Sequence, residues 1–456
     1  MQSTATLSLL AFLASTTNAQ WSTTQIPYEQ DQAGGAGTFN KVYVVGGFDY
    51  SANAQNFIQE YDRPTGLWSD DPMILDNGRI KVASAICGNR LLCAGGWSYP
   101  SQVEVGAVEI YDLDTRLLLT EDQLSDPRVE IATAVVGDKV LFAGGQDAEW
   151  NGTIYDCVPS SVVDIYDATL GTWSVAQLSQ ARAGMASAVL NGKAYFAGGY
   201  LGNGTLTDRV DIYDAATDQW STATLSVARA FYGGGLAIGG RVMFAGGITG
   251  ELVCTDVVDI YDPVPDTWST ATLSSPREGV QAATVGNYAV FAGGGCGVVD
   301  WYYTTSSAVV DIYDAANDTW STATMSSERI NFLAAATGNE VLLIGGYDIL
   351  SDVVPLTVDV FTDASQIGIA EPLQPRELNA WPNPFVDKLN IGALDALGGS
   401  TVEVYDAKGA RVTSVRIKNS LGIDLSFLND GLYGLRILKS DGTGVIASGS
   451  VMKATN

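Results

Sequence analysis

Short apolar strands, each closed by a pair of glycines, recur along most of the chain. In the clearest copy, residues 193–197 are largely apolar, Gly198 and Gly199 follow, and a loop leads to a strand over 210–214, a turn and Trp220. Seven such pairs stand 47 to 54 residues apart, beginning at Gly46, Gly95, Gly144, Gly198, Gly246, Gly293 and Gly345. A period near fifty with four strand signals per copy predicts the blades of a β-propeller.

The polar positions within each copy agree with this prediction. Residues suited to tight hairpin turns, such as Asn191-Gly192, separate the first and second strands. The third strand ends in Tyr-Asp in six copies, and in five a Trp follows the Tyr by seven residues, at Trp68, Trp173, Trp220, Trp268 and Trp320. The second copy has Leu118 at that position. The repeat resembles the kelch motif from Trp21 to about Asp363.

The two ends of the repeat region complement each other. Gln20-Trp21 matches the fourth strand of other copies, such as Gln219-Trp220, whereas the seventh copy has no Trp after Phe361. We therefore expect the N-terminal strand to complete the last blade, because ring closure removes open sheet edges. The predicted fold is all-β, a seven-bladed kelch-type propeller over residues 20–363.

A different pattern of short alternating strands follows a proline-containing linker over 364–378. Residues 379–456 predict a small β-sandwich. This segment resembles the C-terminal sorting domain that Bacteroidota use for type IX secretion. The resemblance rests on Pro382, Asn383, Pro384, Gly409, Gly431, Tyr433 and Lys453. It implies handling by the type IX machinery, passage through the outer membrane, and release or surface attachment; a generic fibronectin-like module is the alternative.

The N-terminal residues 1–19 predict a secretory signal peptide. Leu7 to Ala14 form a short apolar core, and Ala19 is a small residue suited to cleavage before Gln20, although no basic residue follows Met1. No segment approaches the ~20 apolar residues of a membrane-spanning helix. We expect a secreted or outer-surface-attached protein without a transmembrane segment.

Composition removes several classes of function. Acidic residues outnumber basic ones 51 to 24, giving a net charge of −27, which disfavours nucleic acid as a partner. The chain has no histidine, so copper chemistry of the galactose-oxidase type, which the kelch resemblance would otherwise suggest, is excluded. No C-x-x-C pair is present, and we predict neither a metal nor a cofactor.

Of the five cysteines, Cys87 and Cys93 lie in apolar strands and read as core residues. Cys254 and Cys296 fall in corresponding loops of neighbouring copies, which leaves a disulfide between them open. The prediction favours buried or free thiols.

Two expanded loops between second and third strands are candidate binding elements. They carry aromatic residues, Trp150 and Tyr155 in the third copy and Trp301, Tyr302 and Tyr303 in the sixth. We expect these loops to stand across the channel mouth from one another. Exposed rings suit the apolar faces of sugars, although the rings could instead pack on their own loops.

Repeated arginines form a second candidate. They include Arg182, Arg229, Arg277 and Arg329, with Arg79 and Arg128 at the same position. Facing inward, they would form a cationic collar for carboxylate or sulfate groups. Every copy but the first also has an acid two residues before its Tyr or Phe, such as Asp259, which could pair with an arginine between blades. The second interpretation is favoured, because a motif repeated in nearly every blade is usually scaffold.

The sequence therefore predicts a non-catalytic protein that binds an extracellular glycan or protein through the propeller loop face. The alternatives are a carbohydrate-active enzyme, epimerase-like or hydrolase-like, using the same face, and a structural surface protein. Paired carboxylates for hydrolysis cannot be singled out among so many acids.

Overall fold

The computed structural model describes residues 19–98, 101, 103–150, 155–202, 204–250, 253–299 and 302–364, and then 376–377, 380–381, 388–391, 401–405, 411–416, 423–426, 428–438 and 445–453. The chain divides into two compact units, Met1–Ser365 and Gln366–Asn456. Residues 1–18 of the predicted signal peptide lie outside the described residues.

The described part of the first unit contains seven antiparallel sheets with four main strands each, numbered here as sheets 1 to 7 in chain order. Strand β1 is Ala19–Gln25 and belongs to sheet 7. Sheet 1 comprises β2 (Gly34–Gly37), β3 (Lys41–Val45), β4 (Phe57–Asp62) and a fourth strand divided into β5 (Leu67–Trp68) and β6 (Met73–Ile74). Sheet 2 comprises β8 (Ala83–Cys87), β9 (Arg90–Ala94), β12 (Ala107–Asp112) and β13 (Leu118–Gln123). Sheet 3 comprises β14 (Ala132–Val136), β15 (Lys139–Ala143), β18 (Val162–Asp167) and β19 (Thr172–Gln177).

The remaining sheets repeat the same order. Sheet 4 comprises β20 (Ala186–Leu190), β21 (Lys193–Ala197), β22 (Arg209–Asp214) and β23 (Gln219–Thr224). Sheet 5 comprises β24 (Gly235–Ile238), β25 (Arg241–Ala245), β26 (Val257–Asp262) and β27 (Thr267–Thr272). Sheet 6 comprises β28 (Gln281–Val285), β29 (Tyr288–Ala292), β32 (Val309–Asp314) and β33 (Thr319–Thr324). Sheet 7 comprises β34 (Leu333–Thr337), β35 (Glu340–Ile344), β36 (Thr357–Asp363) and β1.

Short additional strands lie in the linker before sheet 2 (β7) and between the second and third strands of sheets 2, 3 and 6. They are β7 (Arg79–Ile80) with β10 (Trp97–Ser98) and β11 (Val103–Glu104), the hairpin of β16 (Gln146–Trp150) and β17 (Tyr155–Pro159), and the hairpin of β30 (Gly295–Val299) and β31 (Tyr302–Ser306).

Burial along the strands follows the sequence pattern. The second strands, such as β15, are buried from their second residue onward, because both faces pack against neighbouring sheets. The fourth strands, such as β27, expose their Thr and Ser residues and half-bury the Trp and Ala. Each Trp lies opposite the third-strand Tyr, as Trp268 does opposite Tyr261 with ring centroids 5.0 Å apart.

The seven first strands form a continuous circuit of contacts. Each touches the first strand of the next sheet, and β34 of sheet 7 touches β2 of sheet 1. Apolar clusters fill the space between adjacent sheets; one of them joins Val42 and Val44 of sheet 1 to Leu342 and Val360 of sheet 7. The sheets therefore share their cores with their neighbours around the circuit.

The N-terminal strand joins the last sheet, as the sequence predicts. Strand β1 pairs with β36 along its whole length, with Trp21 opposite Phe361 and their ring centroids 5.2 Å apart. The first and last strands of the unit are thereby held together by an antiparallel ladder.

In the second unit the described residues form two small sheets. One contains β37 (Arg376–Glu377), β44 (Val445–Lys453), β43 (Gly431–Leu438), β40 (Thr401–Tyr405) and β41 (Arg411–Arg416), with β37 parallel to β44. The other contains β38 (Ala380–Trp381), β39 (Lys388–Ile391) and β42 (Ile423–Asp424).

Candidate functional site

The repeated arginines are buried inside the structure. Each stands in the linker between the fourth strand of one sheet and the first strand of the next, and its guanidinium is paired with the third-strand acid of the following sheet. The pairs are Arg79 with Glu109, Arg128 with Asp164 (2.8 Å), Arg182 with Asp211 (2.6 Å), Arg229 with Asp259 (2.6 Å), Arg277 with Asp311, and Arg329 with Asp359 (2.7 Å). The arginine side chains of these pairs are at most 3% exposed, and the acidic side chains at most 5%.

The interpretation of Arg182, Arg229, Arg277 and Arg329 as ligand-binding residues is therefore wrong. Burial depresses the pKa of these four guanidinium groups, and the paired carboxylates oppose that shift. The carboxylate of each pair also accepts the backbone N–H of a linker residue, as Asp259 does from Ser226 at 3.0 Å. Each pair thus fastens a linker to the next sheet and leaves no cationic collar.

Sheet 1 departs from this arrangement at three positions. Gln30 stands where the other linkers have arginine, and Gln59 stands where the other third strands have an acid; both are 1% exposed. Pro27 replaces the linker residue whose N–H the acid would accept, and proline has no N–H. No hydrogen-bond partner within the described residues reaches the amide groups of Gln30 and Gln59.

Each linker then turns through a residue in the left-handed conformation before the first strand begins. We call these seven residues the linker ring; they are Gln32, Lys81, Glu130, Gly184, Tyr232, Gly279 and Asn331, with φ between 52° and 63°. Backbone hydrogen bonds join neighbouring linkers, from the N–H of Gln32 to Asn331 O (3.1 Å), of Lys81 to Gln32 O (2.8 Å), of Tyr232 to Gly184 O (3.3 Å) and of Gly279 to Phe231 O (3.0 Å). Five members of the linker ring are not glycine. The left-handed conformation costs non-glycine residues free energy, and backbone strain of this kind clusters at functional sites.

On one side of the linker ring the side chains form a polar chain. Lys81 Nζ donates to Glu130 Oε1 at 2.6 Å, and Gln146 Nε2 donates to Glu130 Oε2 at 3.0 Å. Desolvation lowers the pKa of Lys81, but the Glu130 carboxylate outweighs it and keeps the pKa above its ordinary value. Gln146 is the first residue of β16, so this series of hydrogen-bonded side chains ends at the base of the first hairpin.

Two carboxyl groups precede ring members. Desolvation raises the pKa of Asp31, before Gln32, and of Glu278, before Gly279, to about 7 in each case. Most of the other linkers have an apolar residue here, such as Ile330. Groups of this kind can exchange protons near neutral pH.

Half-buried aromatic residues directly follow four of the glycine pairs, at Phe48, Trp97, Tyr200 and Tyr347. Each pairs through its backbone with the linker just before the ring, as Tyr200 does with Ala183. These four residues were not among the candidates predicted from the sequence. The signal was an aromatic residue immediately after Gly-Gly in four of the seven copies.

The two expanded loops form hairpins at this same edge of the sheets. The backbone of Trp150 pairs with that of Tyr155 in the ladder of β16 and β17, and Tyr302 and Tyr303 lie in β31. Trp301 lies outside the described residues. These two hairpins are the longest insertions between second and third strands, and they rise from sheets 3 and 6.

The hairpin of sheet 6 is anchored by a disulfide between Cys254 and Cys296, whose Cα atoms are 5.8 Å apart. The preference for free thiols at these positions was wrong, because the loop of sheet 5 that carries Cys254 packs against the base of β30, where Cys254 Sγ lies 3.7 Å from Gly295 O. Cys87 and Cys93 are buried without a disulfide, as predicted.

In the second unit, three of the proposed sorting residues are described, and they lie close together. Gly431 lies opposite Lys453 across β43 and β44. The buried Lys453 ammonium donates to the carbonyls of Leu425 (3.3 Å) and Ser426 (3.2 Å), and Tyr433 donates to Asn429 O at 2.9 Å. Pro382, Asn383, Pro384 and Gly409 lie outside the described residues.

Comparison with protein families gives two matches. Residues 81–295 match the "KLHDC2/KLHL20/DRC7 Kelch-repeats domain", and residues 379–447 match the "Secretion system C-terminal sorting domain". The chain carries kelch repeats and a secretion sorting domain. Its first unit is a kelch β-propeller, and its sorting domain indicates export by type IX secretion, followed by secretion or outer-surface attachment.

A solved structure titled "Structure of YjhT" is 18% identical to the kelch-repeat chain, covers 66% of it and 98% of its own chain, and gives a TM-score of 0.48. No curated protein matches the chain.

Two further properties concern only the part of the chain that the structure describes. No helix there has the length and apolarity needed to cross a membrane. Within the same ranges, no group of three Asp, Glu or Cys side chains could hold a metal ion.

Proposed function

We propose that the seven sheets are the blades of one closed kelch propeller, spanning residues 20–363. A linker over 364–378 leads to a sorting domain over 379–456, which we propose is a β-sandwich. The circuit of first-strand contacts and the pairing of β1 with β36 support the closed ring. Residues 1–19 are proposed as the signal peptide.

The function that the geometry supports best is non-catalytic binding of an extracellular glycan or protein at the loop edge of the propeller. The observation that carries this proposal is the pair of hairpins, β16–β17 and β30–β31, which rise from two sheets beside the linker ring. Binding sites concentrate on such variable loops above a repeated scaffold. The sequence puts Trp150, Tyr155, Trp301, Tyr302 and Tyr303 in these two loops, and aromatic residues are of the type suited to sugar faces.

The test is binding of the purified chain from Gln20 to Asn456 to an array of polysaccharides and extracellular-matrix proteins. A Trp150→Ala/Trp301→Ala variant should lose at least ~10-fold in affinity, since aromatic anchors contribute strongly to binding. Val158→Ala, at an exposed position on β17, is the matched control and should bind normally. Unchanged affinity in the tryptophan variant, at unchanged thermal stability, would remove the hairpins from the binding site.

A carbohydrate-active enzyme is the second candidate, and the carboxyl groups of Asp31 and Glu278 favour it. With pKa values of about 7, both could hold or accept a proton at neutral pH. Turnover of an oligosaccharide that is lost in Asp31→Asn or Glu278→Gln would select the enzyme over the binding protein.

A further inference from the structure

The boundary between sheets 7 and 1, which we call the closing seam, is built differently from the other sheet boundaries. At the other six, an arginine of the linker and an acid of the next sheet fasten the linker in place. At the closing seam Pro27, Gln30 and Gln59 replace all three groups of that tie. Departures from a repeated rule are expected at functional sites, because the scaffold elsewhere keeps the rule.

A cavity opens at the closing seam, on the edge of the sheets that carries the hairpins. Its volume is about 360 Å³, within the ~300–1,000 Å³ of small-molecule sites. Six residues line it: Pro27, Tyr28, Glu29, Asp49, Gln55 and Leu356. They come from three segments, the linker into sheet 1 and the second-to-third loops of sheets 1 and 7.

Hydrogen bonds hold these three segments together. Glu29 Oε2 accepts the backbone N–H of Tyr50 at 2.8 Å, and Tyr50 donates its hydroxyl to Asp352 at 3.4 Å. Ile26 donates its N–H to Leu356 O at 2.9 Å. The walls are therefore fixed before any ligand arrives, which reduces the entropy lost on binding.

The aromatic part of the wall is both exposed and fixed. The Tyr28 ring packs against Phe57 with ring centroids 4.8 Å apart, yet Tyr28 remains 47% exposed. Pro27 and Leu356 extend this surface with apolar atoms. An aromatic ring that is held in place beside apolar neighbours, as the Tyr28 ring is, is suited to the C–H face of a sugar.

The polar part of the wall offers hydrogen-bond acceptors. The second carboxylate oxygen of Glu29 accepts no hydrogen bond from the described residues, so it can receive a ligand hydroxyl. Burial raises the pKa of Asp49, but hydrogen bonds from Asn53 and Gln55 outweigh it and hold the pKa below its ordinary value. The Asp49 carboxylate is thus ionised at neutral pH. With Asp352 nearby and a net charge of −27, the site repels anions.

We propose that the closing-seam cavity binds a saccharide unit without anionic groups, with the sugar face on Tyr28 and its hydroxyls donating to Glu29. This inference rests on the proposed binding function and names its ligand class and a second subsite. It requires that uronic, sialylated and sulfated glycans be excluded from this subsite.

The test is an array of neutral, amino-bearing and acidic oligosaccharides, probed with the purified chain from Gln20 to Asn456 and four variants. Tyr28→Ala and Glu29→Gln alter the closing seam, and Trp150→Ala/Trp301→Ala alters the hairpins. The matched control is Val227→Ala, because Val227 holds the linker position of Tyr28 in sheet 5 and is 38% exposed. Thermal unfolding of every variant shows that the fold is intact.

The expected result is binding of non-anionic oligosaccharides that weakens at least ~10-fold in Tyr28→Ala, weakens in Glu29→Gln and is unchanged in Val227→Ala. Hydrogen exchange should slow over 26–31 and 48–56 when the best oligosaccharide is added. If such binding is lost in the hairpin variant but kept in Tyr28→Ala, the proposed function stands and the seam site is overturned. If only acidic oligosaccharides bind, or if no oligosaccharide binds, the seam site is overturned as well. The binding of matrix proteins, measured in the test of the proposed function, then decides that function separately.

Discussion

At the residue scale, buried carboxyl groups differ in whether their charge is compensated by neighbouring donors. The carboxylate of Asp259 is buried but meets a guanidinium and a backbone N–H, so its charge is compensated. Glu278 is 2% exposed, and its Oε1 has no hydrogen-bond partner among the described residues. Burial without compensation favours the neutral acid and raises the pKa of Glu278 from 4.5 to about 7.

This shift predicts a loss of stability as pH rises. Between pH 4.5 and 7 the folded state keeps the Glu278 proton that the unfolded chain has released, so the free energy of unfolding falls across this window and is flat above it. The whole contribution is about 3 kcal/mol from a shift of this size. In Glu278→Gln the difference in unfolding free energy between pH 5 and pH 8, measured with urea, should shrink accordingly.

The matched control for Glu278→Gln is Glu121→Gln, which changes an exposed acid on β13. It should keep the pH dependence of the parent chain. An unaltered pH dependence in Glu278→Gln would show that this carboxyl group ionises normally in the folded protein.

At the scale of elements, the two hairpins have a common backbone plan and different anchors. Strands β30 and β31 are tied to sheet 5 by the Cys254–Cys296 disulfide. At the base of β16, Gln146 instead donates a hydrogen bond to Glu130. A disulfide persists outside the cell, so it is compatible with the export that the sorting domain indicates.

Removal of the disulfide should therefore loosen one hairpin and spare the other. In Cys254→Ser/Cys296→Ser, hydrogen exchange in β30–β31 should accelerate at least ~10-fold, while exchange in β16–β17 stays as it was. The free energy of unfolding should fall by about 2–4 kcal/mol, since the crosslink spans 42 residues.

The control for the disulfide variant is Cys157→Ser on β17, which removes a cysteine of the other hairpin. Slow exchange in β30–β31 after the disulfide is removed would mean that the hydrogen bonds of the ladder alone hold this hairpin.

At the scale of the whole molecule, residues far apart in sequence complete one sheet. Strand β1 is the outer strand of sheet 7, and Trp21 packs with Phe361 in an apolar cluster that also includes Met325 and Val341. Because each sheet shares its core with both neighbours, loss of one outer strand exposes apolar surface at a sheet boundary. The stability of the ring should depend on this strand.

Trp21→Ala should lower the free energy of unfolding by about 2–4 kcal/mol, less than the ~3–5 kcal/mol of a fully buried tryptophan because Trp21 is half-buried. Ser22→Ala, at the exposed neighbouring position, is the control and should change it by less than ~0.5 kcal/mol. Equal midpoints in chemical unfolding for the two variants would show that the β1–β36 ladder closes the sheet without the tryptophan.

The strand order of the repeat can be predicted from the sequence alone, because apolar runs, glycine pairs and the Tyr–Trp offset are local and periodic. The sequence also predicted the joining of β1 to the last sheet, from the unmatched Trp21 and the missing Trp after Phe361, and the sorting domain, from its ordered motifs. The interblade interpretation of the arginines came from the regular spacing of the acids.

The folded structure was needed to show which repeated residues are buried, since the exposure of a side chain depends on the neighbouring sheet. It joined Cys254 to Cys296 in a disulfide, which the repeat pattern had left open by placing both in corresponding loops of neighbouring copies. It also placed Tyr28, Glu29 and Asp49 around one cavity. The wall of this cavity also includes Leu356 of sheet 7, which meets sheet 1 only at the closing seam, so this contact is absent from any periodic signal in the sequence.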